Sequence, residues 1–303
     1  MRRLSVTHTT TYRYTVPVSF GSHRMMLRPR DSHEMRLISA TLSTTLPADL
    51  VWTYDIFGNV VCTAHFTGEA AELSIESRLE IERFATPAPI LFQKGDDVRF
   101  PPLYSDDERL DLGACLSGAG QPFAPELESF VQDIVSRHQD GAIALLAGLC
   151  EEIHGTFQYE TRFEGIARSA ADTFALKSGA CRDLAVLFIA IARRLGFGAR
   201  FVSGYLFDPP GDGTALQGVG ATHAWAEVYL PDAGWIEFDP TNGLIASDRL
   251  IRVAVAREAH QAPPIAGSFT GVPNAFAGLW VGVTVETLGE TGGARAGEAA
   301  QAA

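Results

Sequence analysis

From Leu4 to Val16 the apolar or ring-bearing residues fall at even positions: Leu4, Val6, His8, Tyr12, Tyr14 and Val16. Such alternation predicts a strand with one buried face, because successive side chains leave a pleated chain on opposite sides. The pattern returns at Leu73, Ile75, Leu79 and Ile81, with Glu72, Glu76, Arg78, Glu80 and Glu82 on the other face. Between these stretches, Phe57-Gly58-Asn59 punctuates two β-rich runs as a turn. Residues 1–85 therefore read as an antiparallel β domain.

Residues 86–124 lack periodicity and are rich in Pro, Gly and Asp, which predicts a connector. Helical spacing begins after it. Pro125 suits a first helical position, and Leu127, Phe130, Val131, Ile134 and Val135 recur on one face. A second helix is expected after Asp140 as N-cap, carrying Ile143, Leu146, Ala147, Cys150 and Ile153. A third starts at or near Cys181. Its apolar face of Leu184, Ala185, Leu187, Phe188, Ile191, Ala192 and Leu195 is broad enough to predict burial, and Gly196 and Gly198 end it. Strands are expected at 199–207, 223–230 and 235–240, the last two joined as a hairpin through Pro231-Asp232-Ala233-Gly234. A final alternating run, 279–288, predicts a strand closing a catalytic core of residues 125–288. The tail, 289–303, is Gly, Ala and Glu, has little to bury, and is expected to be disordered. The fold class is α+β.

Charge and cysteine usage narrow the partners. A net charge of −12 argues against a nucleic-acid or anionic-membrane partner, since both need a basic face. The most basic stretch, Arg24 to Arg36, is interrupted by Asp31 and Glu34 and reads as a solvated strand edge. No window offers the ~20 apolar residues of a membrane span. The N-terminus alternates at once instead of giving an apolar block, so it reads as a strand and not a secretion signal. The four cysteines, Cys62, Cys115, Cys150 and Cys181, are far apart, which suggests neither a disulfide framework nor a thiolate zinc site. A reducing cytoplasm fits, and no cofactor or metal is expected.

The chemistry concentrates at Cys181. It follows Ser178-Gly179-Ala180 and opens a helix, where unpaired N–H groups and the helix dipole favour a thiolate. The same N–H groups can face the oxyanion formed when sulfur attacks a carbonyl. His223 begins one predicted strand and Asp239 ends the next. An odd-length loop would bring both onto one face as diagonal neighbours, about 7–8 Å apart at the backbone, whereas a four-residue loop without a bulge would separate them. Glu237 shares the parity of Asp239 and competes with it as the group that orients His223. Tyr159 is a candidate oxyanion donor.

The segments Gly-Ala-Cys-Arg-Asp at 179–183, Ala-Arg-Phe-Val-Ser-Gly-Tyr at 199–205, His-Ala-Trp-Ala-Glu-Val-Tyr at 223–229 and Gly-Trp-Ile-Glu-Phe-Asp-Pro-Thr-Asn at 234–242 resemble the bacterial transglutaminase-like superfamily. His8 to Tyr14, Arg28-Pro29-Arg30 and Phe57-Gly58-Asn59 resemble the β domain that commonly precedes its core. The resemblance implies a papain-like core, with Cys181 as nucleophile, His223 as general base and acid, and Asp239 as orienter. It implies a cysteine protease or amidase acting on a protein or peptide, with glutamine cross-linking as the enzymatic alternative and a non-enzymatic peptide-binding module as the rival class. Relatives often continue with Gly-Arg-Asp-Tyr where this chain reads Ala256-Arg257-Glu258-Ala259-His260, which leaves the rim of the site open.

Other features read as scaffold. Residues 208–220 form a flexible loop without phosphate-binding order, a lid being the alternative to a plain long hairpin loop. No D-x-D-x-D-G run suggests calcium. Cys150 and His154 share a helix face, but two ligands do not make a metal site. Trp225 and Trp235 are candidates for cleft walls or for core, while Arg182 and Asp183 are expected to serve the helix start.

Overall fold

The structure, a computed structural model, describes residues 1–84, 100–118, 120, 123–209 and 216–289. The expected disorder beyond residue 289 and much of the connector and of the 208–220 loop lie outside the described residues.

Six strands build the N-terminal domain: β1 (Arg2–Phe20), β2 (His23–Met25), β3 (Met35–Thr44), β4 (Ala48–Tyr54), β5 (Val60–Phe66) and β6 (Glu69–Arg83). They sort into two antiparallel sheets, one containing β1-β6-β3 and one containing β2-β5-β4. Tyr14, Val18, Phe20, Met25, Cys62, Leu73 and Ile75 fill the space between them, so the alternation along β1 and β6 buries its apolar set as the sequence predicts, except Val16, which is 40% exposed where the pairing of β1 with β6 is interrupted between Arg13 and Val18.

Part of the connector is helical: α1 (Asp106–Leu112) is opened by Ser105, which accepts the Glu108 N–H while Glu108 accepts the Ser105 N–H. Then come α2 (Pro125–Arg137), α3 (Ala142–Thr156), β7 (Gln158–Tyr159), α4 (Ala170–Leu176), β8 (Ser178–Gly179) and α5 (Cys181–Arg194). The start of α3 differs from expectation. Gly141, at φ 105°, precedes it, and no side chain caps it, so Asp140 is not the N-cap. The catalytic-core sheet is fully antiparallel: β9 (Gly198–Leu206), β10 (His223–Leu230), β11 (Gly234–Asp239), β12 (Leu244–Ile245) and β13 (Leu250–Ala256), in the order β12-β11-β10-β9-β13. Helix α5 lies against β10 and β9, and Leu184, Leu187, Phe188 and Ile191 share one apolar cluster with Phe201, Ala226, Val228 and Phe238. The α+β class, helices packed on an antiparallel sheet after an antiparallel β domain, is what the chain adopts.

The end of the chain corrects one expectation. The strands β14 (Ile265–Ala266), β15 (Phe269–Thr270) and β16 (Phe276–Gly289) pair with β2, β1 and β1 respectively. The terminal strand therefore forms where alternation predicts it, but it completes the N-terminal sheets instead of the core. Alternation fixes which face of a strand is buried; it says nothing about the partner that covers its edge.

The two parts are packed face to face. Leu4, Val6, Leu79 and Ile81 of the N-terminal sheet meet Tyr205, Phe207, Ile251 and Val253 of the core. The turn foreseen at 57–59 supplies the polar lock. Buried Asn59 donates through Nδ2 to the Val255 carbonyl at 2.6 Å and accepts the Val255 N–H at 2.9 Å, so its amide imitates a neighbouring strand. Asn59→Ala would orphan both groups. The expected loss is about 2–6 kcal/mol, since each unsatisfied buried polar group costs roughly 1–3 kcal/mol. Urea unfolding of the wild type and variant reads this directly.

Candidate active site

Cys181 is the first residue of α5. Its backbone is held by β7 and β8, which pair in parallel with Tyr159 beside Gly179. The side chain of Asp183 accepts the Ala180 N–H at 2.9 Å, filling one of the donor vacancies of a helix start. That carboxylate has no exposure, and it also takes two 2.7 Å contacts from Arg162 Nη2 and one of 2.8 Å from the Arg168 N–H. Asp183 thus serves the helix start as expected, through a buried ion pair as well as through the dipole. Arg182 does not: its Nη2 donates to the Glu164 carbonyl at 2.7 Å, and the side chain lines the cleft beside Cys181.

Three loop residues, Pro231 to Ala233, join β10 to β11, with Leu230 opposite Gly234 and Ala226 opposite Phe238. This is the odd-length case, and continuing the register puts Asp239 diagonal to His223. The side chains meet: His223 Nε2 lies 2.8 Å from Asp239 Oδ2, with neither residue appreciably exposed. Asp239 is itself held by the Thr241 N–H at 3.0 Å and by Asn242 Nδ2 at 2.8 Å. Asn242 in turn accepts the Gln217 N–H at 2.7 Å, tying the loop before β10 to the segment after β11. From the helix layer, His154 Nδ1 donates to the Thr241 carbonyl at 2.8 Å and the Cys150 thiol points at the Leu244 carbonyl. The Cys150–His154 pair is thereby a brace for the Asp239 segment; among the described residues no cluster of three or more His, Cys, Asp or Glu side chains could hold a metal.

Electrostatics follow from this geometry. Burial disfavours a charged His223, but the Asp239 carboxylate outweighs it through charge and hydrogen bond, aided by Cys181, and raises the imidazole to about 10. Burial likewise works against an ionised Asp239, yet His223 and the hydrogen bonds from Asn242 and Thr241 hold it below the usual carboxylate range. With Nε2 committed to Asp239, Nδ1 of His223 is the buried nitrogen left for Cys181. Gly218, at φ 85°, passes so close that a Cβ there would lie 3.0 Å from Nδ1, so glycine keeps that nitrogen uncovered. Tyr159 borders the same space. Burial raises its phenol first and the charge of Cys181 next, which puts the hydroxyl within electrostatic reach of the sulfur.

The remaining candidates fall elsewhere. Glu237 faces Glu227 across β10 and β11 and accepts the Trp225 indole N–H at 3.2 Å. Burial and the Glu227 charge push its carboxyl up to about 8, so near neutral pH it lacks the charge an orienter of imidazolium needs. Trp225 is fully buried behind His223, ring centroids 5.9 Å apart, and Trp235 lies under the Arg200 guanidinium; neither lines the cleft. Sequence reasoning missed Asn242 and Arg162. Asn242 stands three residues after Asp239 and was legible only as a turn former, while Arg162 meets Asp183 across 21 residues without a local pattern.

A helix-borne thiol facing an imidazole–carboxylate pair on a neighbouring antiparallel sheet defines the papain-like arrangement. Residues 128–240 match the transglutaminase-like superfamily, and residues 4–82 match the bacterial transglutaminase-like N-terminal region. Over these two stretches the chain is similar to the transglutaminase-like superfamily. It is 29% identical to the uncharacterized protein Rv2569c of Mycobacterium tuberculosis over 283 residues, covering 88% of this chain and 87% of that one. A protein-glutamine gamma-glutamyltransferase of Pseudomonas aeruginosa is 32% identical over 104 residues, 32% of this chain and 15% of that protein. The crystal structure of a candidate cysteine protease from Cytophaga hutchinsonii shares the fold with a TM-score of 0.65 at 18% identity, covering 95% of this chain and 91% of that one.

Proposed function

We propose that the protein is a cysteine-dependent acyl-transfer enzyme that cleaves a peptide or isopeptide amide, with Cys181, His223 and Asp239 as its triad. The supporting observation is the fully buried His223–Asp239 pair at 2.8 Å, set beside a cysteine at a helix N-terminus. The Cys181 thiolate adds to the amide carbonyl carbon, forming an S–C bond and an oxyanion. The Cys181 N–H, which has no intrahelical acceptor at a helix start, and the Tyr159 hydroxyl are the donors assigned to that oxyanion. As the C–N bond breaks, the His223 imidazolium gives its Nδ1 proton to the leaving amine. Neutral His223 then takes a proton from water, hydroxide adds to the thioester, and the carboxylic acid leaves as the S–C bond breaks. Asp239 stays ionised throughout, fixing the Nε2–H tautomer and stabilising the imidazolium.

Water needs no binding site of its own, so hydrolysis is the favoured outcome. The similarity of a third of the chain to a protein-glutamine gamma-glutamyltransferase supports the second outcome, in which a lysine amine takes the place of water. Incubation with glutamine-containing peptides and a fluorescent primary amine separates them. Hydrolysis predicts new carboxylates and cleaved backbone without fluorophore, whereas amine incorporation as the main product would replace it with cross-linking. The four unpaired cysteines favour a reducing compartment, which we take to be the cytoplasm.

Tyr159→Phe keeps the ring and deletes the donor. The expected effect is a fall in kcat of about 10-fold to 1000-fold with KM nearly unchanged, the signature of an interaction made in the transition state. An unchanged kcat would leave the oxyanion to backbone donors alone.

A further inference from the structure

One face of β1 runs through three environments in succession. Leu4 and Val6 pack on the core sheet, and His8 hydrogen-bonds the Tyr205 hydroxyl at 3.1 Å. Thr10 and Tyr12 then emerge along the same face into the Cys181 cleft, a space of about 510 Å³. The neighbouring strand β16 does the same. Its register sets Val283 opposite His8, Val281 opposite Thr10 and Leu279 opposite Tyr12, and Val281 and Leu279 line the cleft. The Val283 N–H donates to the Gly220 carbonyl at 2.9 Å, so β16 is fixed to the loop that leads into His223. One wall of the cleft is therefore N-terminal sheet, built from cross-strand pairs at a set distance from the thiol. Phe163 and Ile166, on the loop between β7 and α4, stand on the cleft as well and are 45% and 83% exposed. Beyond Tyr12 the apolar surface continues through Phe276, which is shared with a second groove of about 250 Å³ that also includes Tyr14 and Phe269.

An exposed apolar face continuous with a reacting thiol calls for a ligand that supplies apolar surface of its own. Resting on the function proposed above, we infer that the N-terminal β domain is the specificity-determining wall of the active site. The occupant is an extended peptide segment whose aromatic or branched apolar side chain, adjacent to the scissile carbonyl, seats on Tyr12, Leu279, Val281 and Phe276. The segment's backbone then runs along the groove toward Phe269. The polar positions around Cys181 (Tyr159, Arg182 and Glu164) are left to the reacting amide and its immediate neighbours.

The test uses the full chain and two kinds of cysteine reagent. Iodoacetamide is too small to touch the wall and reports the thiol alone. Peptidyl acyloxymethyl ketones, identical except for Phe, Leu, Gly or Asp next to the reactive carbonyl, report the wall. Wild-type protein should be labelled at Cys181 at least about tenfold faster by the Phe and Leu probes than by the Gly and Asp probes. Leu279→Asp and the half-exposed Phe276→Ala should each erase most of that preference while iodoacetamide still alkylates Cys181 at the wild-type rate. Equal labelling by all four probes in the wild type overturns the inference whether or not any variant folds. A preference that survives in both folded variants overturns it too, by placing the apolar subsite elsewhere. If iodoacetamide reacts with Cys181 no faster than with Cys62 or Cys150, the enzymatic proposal falls and this inference with it; rapid alkylation without peptide preference sinks the inference alone.

Discussion

Replacing Asp239 by Asn should lower kcat/KM by about a thousandfold or more and move the alkaline limb of the pH profile to lower pH. The magnitude follows from the comparable loss when the carboxylate of a nucleophile–histidine–carboxylate triad becomes an amide. The direction follows from this site. His223 is fully buried, and burial alone pushes imidazole toward the neutral form. The Asp239 charge and hydrogen bond overcome that and raise His223 to about 10, so the imidazolium that the proposed reaction needs to protonate the leaving amine persists until pH rises through that value. Without the carboxylate, burial prevails, and the protonated form is lost at lower pH. Asn at 239 can also donate to Nε2, which favours the wrong tautomer and spends the Nδ1 position on a proton. An Asp239→Asn enzyme with unaltered rate and unaltered alkaline limb would remove Asp239 as orienter. Glu237 is poorly placed to inherit the role, since it faces Glu227 and its carboxyl is pushed up to about 8.

The largest effect on stability is expected at Asp183→Ala. The carboxylate is unexposed, and its removal orphans the Ala180 and Arg168 N–H groups and leaves Arg162 without its anion. Breaking one partner of a buried pair costs about 3–5 kcal/mol. The damage is local to Cys181, because Ala180 is the residue before it at the α5 start. Adding Arg162→Leu to Asp183→Ala should recover part of the loss, since no uncompensated guanidinium then remains; denaturant midpoints of the single and double variants measure the coupling. Additive losses would mean that Asp183 acts only through its backbone bonds.

These two carboxylates also mark how far the sequence could be read. The places of Cys181 at a helix start and of His223 beside Asp239 were legible because each sits at a punctuated end of a periodic element, and because the hairpin between β10 and β11 admits a parity argument. The three-residue loop settles that parity. The bracing of the same groups was opaque. Asp183 and Arg162, like Asn59 and Val255, pair across a loop or between domains, and no period links them. Two short helices were readable but overlooked: Ser105 with Glu108, and Ser169 with Asp172, place a capping residue three positions ahead of an acid. The return of β16 to β1 was readable as a strand and unreadable as a partner. That pairing brings Phe276, Leu279 and Val281 from the far end of the chain to the cleft.

The central claim is that Cys181 is an activated thiolate paired with an imidazolium. The most direct measurement is the alkylation rate of all four cysteines by iodoacetamide from about pH 5 to about pH 11, read by peptide mass spectrometry, in the wild type and in His223→Ala. Burial pushes Cys62 up to about 11 and raises Cys115 and Cys150 as well, so those three should be slow throughout. Cys181 alone is expected to react rapidly at near-neutral pH, and His223→Ala to abolish that rapid reaction. Alkylation of Cys181 no faster than that of the other three cysteines, with no change in His223→Ala, would contradict the claim.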